Sequence, residues 1–370
     1  MSVPTGLEIT LREQKGFMRT LSLTTLLTPL LLTVSLVACD AGSTPAPPGT
    51  PPPGTSPATP VPPTIAPPGG LIFSAPTGAT DASQTLTLTN ESEAAVTLSG
   101  LTLSDTTAFT LVGAPSLPLT LAVGESARVG VGFRAGDLGP QRATLTVQSD
   151  AAPATVELGG LSFAGTGGNN EPSLQWILDA FAVPVDAGDS DPSTTPIEDA
   201  PANGLVGDEV AAQTFQKAGT GPVILEVLAA YAVENDPVVG LGWYAAGDAA
   251  SEQPVLVVPR TSAGTPPNNA QRLSPRVDGA TSFDPGSTPF GLYAFWPGNP
   301  FFDARTTYTE DALNTFPNAL PHHVRTFPLI NPDGSAEPNA YVVATNEFHL
   351  GDDFNDVVLV LRNVRPAQTP

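Results

Sequence analysis

One segment concentrates oxygen donors more tightly than any other. It reads Asn346-Glu-Phe-His-Leu-Gly-Asp-Asp-Phe-Asn-Asp-Val-Val-Leu-Val-Leu. Asp352, Asp353, Asn355 and Asp356 fall within five residues, and Glu347 precedes Asp352 by five. Oxygen donors packed this closely repel one another unless a cation neutralises them. Hard oxygen ligands in a flexible loop suit Ca²⁺. The spacing is not that of an EF-hand, and no helix pair flanks it. The other reading is a solvated acidic turn, or Asx caps at the start of the next strand. The residues alone leave both open.

Other chemistry-bearing residues have simpler explanations. Asp186, Asp189 and Asp191 sit in a Pro/Ser-rich stretch that reads as a solvated loop. His322 and His323 are neighbours before a strand, so they face opposite sides and do not easily share a metal. Trp243, Tyr293 and Trp296 are candidates for a sugar-binding platform, with burial in a core as the alternative. Glu310-Asp311 is a carboxylate pair without distinctive context. The chain has no Gly-x-Ser-x-Gly, no His-Glu-x-x-His and no Walker loop. A non-catalytic protein is expected.

The elements that must position these residues read as strands. From 171 to 367 the runs are Leu174–Val183, Glu209–Gln216, Pro222–Tyr231, Val238–Tyr244, Val255–Val258, Phe290–Trp296, Val324–Leu329, Ala340–Ala344 and Val357–Val364. Gly- and Pro-rich turns separate them. This pattern predicts a β-sandwich of jelly-roll type. It holds all three Trp, all five Tyr and all three His, with 25 acidic residues against eight basic.

A smaller sandwich is predicted over 71–168. Leu71–Phe73, Thr85–Thr89, Val96–Leu103, Phe109–Val112, Leu119–Val123, Ala127–Phe133, Ala143–Gln148 and Thr155–Phe163 recur every ten residues or so. TLTLTN and RVGVGF alternate inward and outward side chains. The Gly165 to Asn170 stretch suggests a flexible joint, so independent motion of the two bodies is expected.

The start of the chain carries a different signal. Met18-Arg19 precedes an uncharged apolar run, Leu21 to Ala38, which ends at Cys39, the only cysteine. A basic residue, an apolar stretch and a small residue before a cleavage point make a secretory signal. Met18 is a candidate start, with residues 1–38 as the signal. Residues 39–70 form a tether: 12 of the 30 residues from 41 to 70 are Pro and none is charged. Proline removes the amide donor, so no helix or ladder is expected there, only a disordered, locally stiff linker. With 36 acidic against 14 basic residues, a net charge of −22, the chain has no footprint for nucleic acid. One cysteine permits neither an internal disulfide nor a cysteine zinc cluster.

Three resemblances sharpen these readings. Leu36-Val37-Ala38-Cys39 resembles the lipobox of bacterial lipoproteins, which implies that Cys39 is lipidated and tethers an exported protein to a membrane of the cell envelope. The runs TLTLTNESEAAVTLSGLTL, LAVGESARVGVGF, ATLTVQSD and LSFAGTG are similar to the ASPM/SPD-2/Hydin (ASH) domain, an Ig-like module. FGLY at Phe290–Tyr293, HHVRTFPL at His322–Leu329 and the segment Pro338–Pro366 resemble the DUF4114 family of secreted bacterial proteins. That family's end motif implies a Ca²⁺ site at Glu347, Asp352, Asp353, Asn355 and Asp356. Phe348 stands where the family has a second acidic residue. The expectation is therefore an all-β lipoprotein with an Ig-like and a larger sandwich. It would display an adhesive or structural surface to a protein or glycan partner. A carbohydrate-binding module is the alternative, and a glycan hydrolase using a carboxylate pair is a further one.

Overall fold

The computed structural model describes residues 59–167, 170–189, 191–193, 204–232, 238–260, 268–298, 303–320, 322–347 and 353–367. The signal segment, Cys39, most of the Pro-rich tether and Asp352 lie outside the described residues.

The period-two pattern of the first body becomes nine strands in two sheets, numbered in chain order. β1 (Thr64–Ala66), β3 (Thr80–Thr89), β7 (Ser126–Arg134) and β5 (Phe109–Val112) lie side by side in one. β2 (Leu71–Pro76), β9 (Ala154–Phe163), β8 (Gly139–Ser149), β4 (Val96–Leu103) and β6 (Leu119–Leu121) form the other. Only the β2–β9 pair is parallel among the described pairings. The RVGVGF run lies in β7, whose Ala127, Val129, Val131 and Phe133 all point inward. There Phe133 meets Phe73 and Phe109, with ring centroids 5.4–6.1 Å apart. Each such ring contributes roughly 1.5–3 kcal/mol through burial. The cluster needs a bare backbone on β9. A Cβ on Gly160 would fall 2.3 Å from the Phe133 ring.

β1 corrects one expectation. It lies inside the Pro-rich stretch, yet it pairs with β3 over Thr64 to Ala66. These three residues contain no proline, and the strand sits at a sheet edge. Pro63 and Pro67 flank it where a missing amide proton removes no ladder bond.

The larger body is a second sandwich. One sheet runs β15 (Asp278–Gly279), β13 (Gln253–Pro259), β12 (Val238–Ala245), β17 (Phe290–Trp296), β10 (Phe215–Lys217) and β22 (Val364–Pro366), with β18 (Arg305–Tyr308) also on β17. The other runs β14 (Gln271–Leu273), β11 (Val223–Tyr231), β21 (Val357–Arg362), β20 (Ala336–Thr345) and β19 (Val324–Ile330), with β16 (Ser282–Phe283) on β11. The all-β, two-sandwich expectation holds. β21 shows why its sequence is apolar throughout. Val357, Leu359 and Leu361 face the core between the two sheets, while Val358 and Val360 face a second core on the opposite side. A strand covered on both faces needs no polar alternation.

That second core overturns two expectations. Leu174–Val183 is not a strand. It begins as a helix, α1 (Leu174–Ala180), capped by the Ser173 hydroxyl, which accepts from the Trp176 N–H at 3.2 Å. Leu174, Ile177 and Leu178 are buried at helical spacing, three and four apart, and Ser173 is a favoured N-cap. The Glu209–Gln216 run likewise pairs only at its end, in β10, because Val210 and Ala212 bond individually to Thr326 instead of forming a ladder.

The bodies are also not independent. α1 packs Leu174, Ile177 and Leu178 in one cluster with Leu161 and Phe163 of β9 and with Tyr231, Leu273, Phe327, Val358 and Val360 of the larger sandwich. Gly159 of β9 admits the end of the helix, since a Cβ there would lie 2.4 Å from the Ala180 carbonyl oxygen. Phe163 meets Tyr231 edge-on at 5.3 Å. Ser74 Oγ accepts from the Leu273 N–H at 2.9 Å. From Pro57 onward the described residues form one compact unit.

Candidate metal centre

The acidic segment is the turn between β20 and β21. Thr345 pairs with Val357 at its base, and the Thr345 hydroxyl bonds both the carbonyl and the amide of Val357. Inside this clamp the carboxylates turn inward. Glu347 and Asp356 are buried and Asp353 is half-buried. Asp356 Oδ2 accepts from the Glu347 N–H at 2.5 Å, and the Asp356 carbonyl accepts from the Tyr231 N–H at 3.0 Å. A solvated turn is therefore not what forms at these positions.

Phe354 shapes the turn. It is fully buried, yet its φ is +50°, a left-handed conformation that costs a bulky residue about 1 kcal/mol or more. The Arg325 guanidinium lies 4.5 Å from its ring centre and helps hold it. This strained residue lies between Asp353 and Asn355.

A further buried carboxylate lies outside the segment. Glu171 precedes α1, far away in sequence, and is 9% exposed. Burial, with the charge of Asp353 next, pushes its carboxyl up to about 8, although the Gly167 N–H opposes this. Asp356 is pushed well above the usual carboxylate range by burial first, then by Glu347 and Asp353. Arg305 adds a cation, whose Nε donates to the Glu347 carbonyl at 2.6 Å and whose Nη2 lies 3.5 Å from Glu347 Oε1.

The donors are all hard oxygens, which fits Ca²⁺ rather than a soft metal. Asn355 supports that fit. It is fully buried, its Nδ2 donates to the Pro172 carbonyl at 2.8 Å, and its Oδ1 has no hydrogen-bond partner among the described residues. Among the described residues, no three His, Cys, Asp or Glu side chains are gathered tightly enough to hold an ion. Asp352 is not among them.

The aromatic positions do not form a platform. Trp296 is fully buried, with its indole N–H donating to Thr307 Oγ1 at 3.2 Å. Tyr293 is 7% exposed. Trp243 is half-buried and stacks on Phe283 at 5.7 Å. Phe290, Leu292, Ala294 and Trp296 of β17 face the sandwich core, while Tyr293 lies on the opposite side of the strand, covered beside Tyr308 at 6.5 Å.

His322 and Asp311 have a structural role that their sequence context hid. His322 Nδ1 lies 2.8 Å from Asp311 Oδ1 and its Nε2 lies 3.0 Å from Glu209 Oε1. Burial alone would lower its basicity, but these two carboxylates outweigh that and raise it to about 9. Glu209 also pairs with Arg325 and accepts from the Val206 N–H. Both ring nitrogens are engaged, so His322 is not placed as a general base. His323 is buried, with Nε2 accepting from the Leu320 N–H. A cleft of about 680 Å³ adjoins His322 and is lined also by Glu310, Ala212 and Pro289. Asp186, Asp189 and Asp191 cap the amides of Gly188, Asp191 and Ser193, as solvated Asx turns do.

No protein-family model matches the chain. No curated protein matches it either. Among solved structures, the Vibrio cholerae VesB protease aligns at 22% identity and a TM-score of 0.23, over 27% of this chain and 31% of that one. WR4, a C. elegans MSP family member, aligns at 10% identity and 0.21, over 28% of this chain and 98% of that one. The ASH/PapD-like domain of human CEP192 aligns at 16% identity and 0.20, over 32% and 99%. At these scores the likenesses carry no function across. The Ig-like sandwich rests on the sheets themselves.

Proposed function

We propose that this is a lipid-anchored, exported, non-catalytic protein of the cell envelope, whose joined sandwiches present a binding or structural surface stabilised by Ca²⁺. The observation that carries the proposal is the burial of Glu347, Asn355 and Asp356, with Asp353 half-buried, in the short acidic segment that joins β20 to β21. Carboxylates buried in one short segment are unfavourable unless an ion or protons neutralise them. The oxygen-only donor set and the buried Asn355 Oδ1 favour the ion.

The anchoring half is supported by Leu36-Val37-Ala38-Cys39 after an apolar run, and by the uncharged Pro-rich stretch that follows. Several acyl chains on one cysteine hold a membrane far more firmly than one, at about 0.8 kcal/mol per buried CH₂. No helix of the described residues is long and apolar enough to cross a membrane.

Two measurements test the proposal. Elemental analysis of the purified chain should find about one calcium per molecule, and none after a chelator wash. Labelled palmitate should enter the wild type and not Cys39→Ser. Absence of calcium in protein purified with calcium present removes the metal half. Equal labelling of both chains removes the anchor.

A further inference from the structure

The Pro-rich stretch meets the smaller sandwich at β1. Among the described pairings β1 joins β3 alone, with Thr64, Ile65 and Ala66 opposite Thr89, Leu88 and Thr87. Asn90 donates its N–H to the Glu125 carbonyl, just before β7. Alternation along β3 then turns the backbone of Leu88 toward β7 and that of Thr87 and Thr89 toward β1. Thr64 and Ala66 therefore carry the ladder. Both are exposed, and Ile65 brings one half-buried side chain to the core. One further bond, from the Thr64 hydroxyl to Glu91 Oε2 at 2.7 Å, lies at the surface. A three-residue edge strand held this lightly is among the cheapest parts of a fold to open.

The strand beneath it does not depend on it. β3 pairs with β7, with an irregularity between Asp81 and Gln84 and regular register from Gln84 to Thr89. Leu86 and Leu88 are fully buried in the smaller sandwich. Ala82 to Thr89 contains no charge and no proline, and Thr85–Thr89 reads TLTLT. A regular, uncharged edge of high β-propensity is a template for another strand.

We propose that β1 masks this edge, and that the bare edge takes up a second copy of the chain, β3 against β3 in antiparallel. A two-fold axis at Thr87 sets Thr85 opposite Thr89 and Leu86 opposite Leu88. Threonine then faces threonine across the strands, a favourable pair, and no charge meets a like charge. Two copies of a chain with net charge −22 repel, and an uncharged strip is where that repulsion is least. A two-fold contact of this kind closes as a dimer. Pro63 and Pro67 blunt the outer edge of β1 itself, so the masked chain stays single. The mask does not depend on the membrane anchor. Under the anchoring proposed above, tension on the tether enters at Thr64 and peels β1 first. It reaches β2, buried and paired with β9 along six residues, only afterwards.

The test is sedimentation of the full chain in mild detergent, with Cys39→Ser throughout so that neither acyl chains nor a disulfide joins copies. Thr64→Pro with Ala66→Pro removes both ladder amides at exposed positions and leaves Ile65 in place. In dilute protein, the Thr87 and Thr89 amides of this variant should exchange at least about tenfold faster than in the unsubstituted chain. In concentrated protein its mass should double, while the unsubstituted chain keeps the mass of one copy. Adding Thr87→Lys sets two like charges against each other at the axis and should return the mass to one copy. A proline variant that stays single at every concentration, or that keeps slow exchange at Thr87 and Thr89, overturns the proposal. A doubled mass that survives Thr87→Lys places the contact elsewhere and overturns it too. Equal doubling in the unsubstituted chain contradicts the mask.

Discussion

Arg272 of the larger sandwich reaches Asp81 of the smaller one, with Nη2 3.0 Å from Oδ2 and 3.3 Å from Oδ1. The Asp81 side chain is fully buried, and it also accepts from the Ser74 N–H at 3.0 Å and the Ala82 N–H at 2.7 Å. Removing one partner of such a pair strands the other. Arg272→Ala should cost about 3 kcal/mol. Asp81→Ala should cost more, because it also orphans two amides. The double variant should cost less than the two singles together. Urea unfolding of the four chains measures this; strict additivity would show that the pair does not couple the bodies.

His322 sets a pH dependence. Its folded pKa of about 9 lies above the ordinary 6.5. The protonated imidazole is therefore favoured by folding. Its contribution is fully present below about pH 6.5 and is lost as pH rises through 9. A shift of this size converts to about 3 kcal/mol, which partial solvent exposure reduces to on the order of 1–2 kcal/mol. Melting temperature should fall between pH 6.5 and 9 in the wild type, and this slope should flatten in His322→Gln. An unchanged slope in the variant would assign the dependence to other groups.

Gly160 is required by the Phe133 ring. Gly160→Ala places a methyl 2.3 Å from that ring's carbon and should cost about 1–3 kcal/mol. Phe133→Leu, destabilising alone, should recover part of that loss in the double variant. Denaturation midpoints of the three chains decide it, and loss of stability in the double equal to the sum of the singles would contradict a direct clash.

Much of this architecture is legible in residue order, and its failures have physical causes. RVGVGF alternates because β7 has one face in a core and one outside. Val357-Val-Leu-Val-Leu does not alternate because β21 has cores on both faces. Leu174–Val183 was readable as a strand because its apolar residues are dense. Only the 174, 177, 178 spacing and Ser173 distinguish the helix. Gly165 to Asn170 reads as a flexible joint because those residues say nothing about the cluster that α1 builds on either side of them. The acidic turn stands out by local density. Glu171, a lone acid before a proline, gains its place only through the packing of the two bodies. Trp296 and Tyr293 carry the same composition whether buried or displayed, and only the packing on the two faces of β17 decides between them.

Calcium at the acidic segment between β20 and β21 is the central claim, and differential scanning calorimetry of the full chain with millimolar calcium and with excess chelator tests it most directly. Binding at one hundred times the dissociation constant stabilises by about 2.7 kcal/mol. A melting temperature several degrees higher with calcium is expected, reversed by chelator and not reproduced by magnesium. Identical melting curves under all three conditions would contradict it.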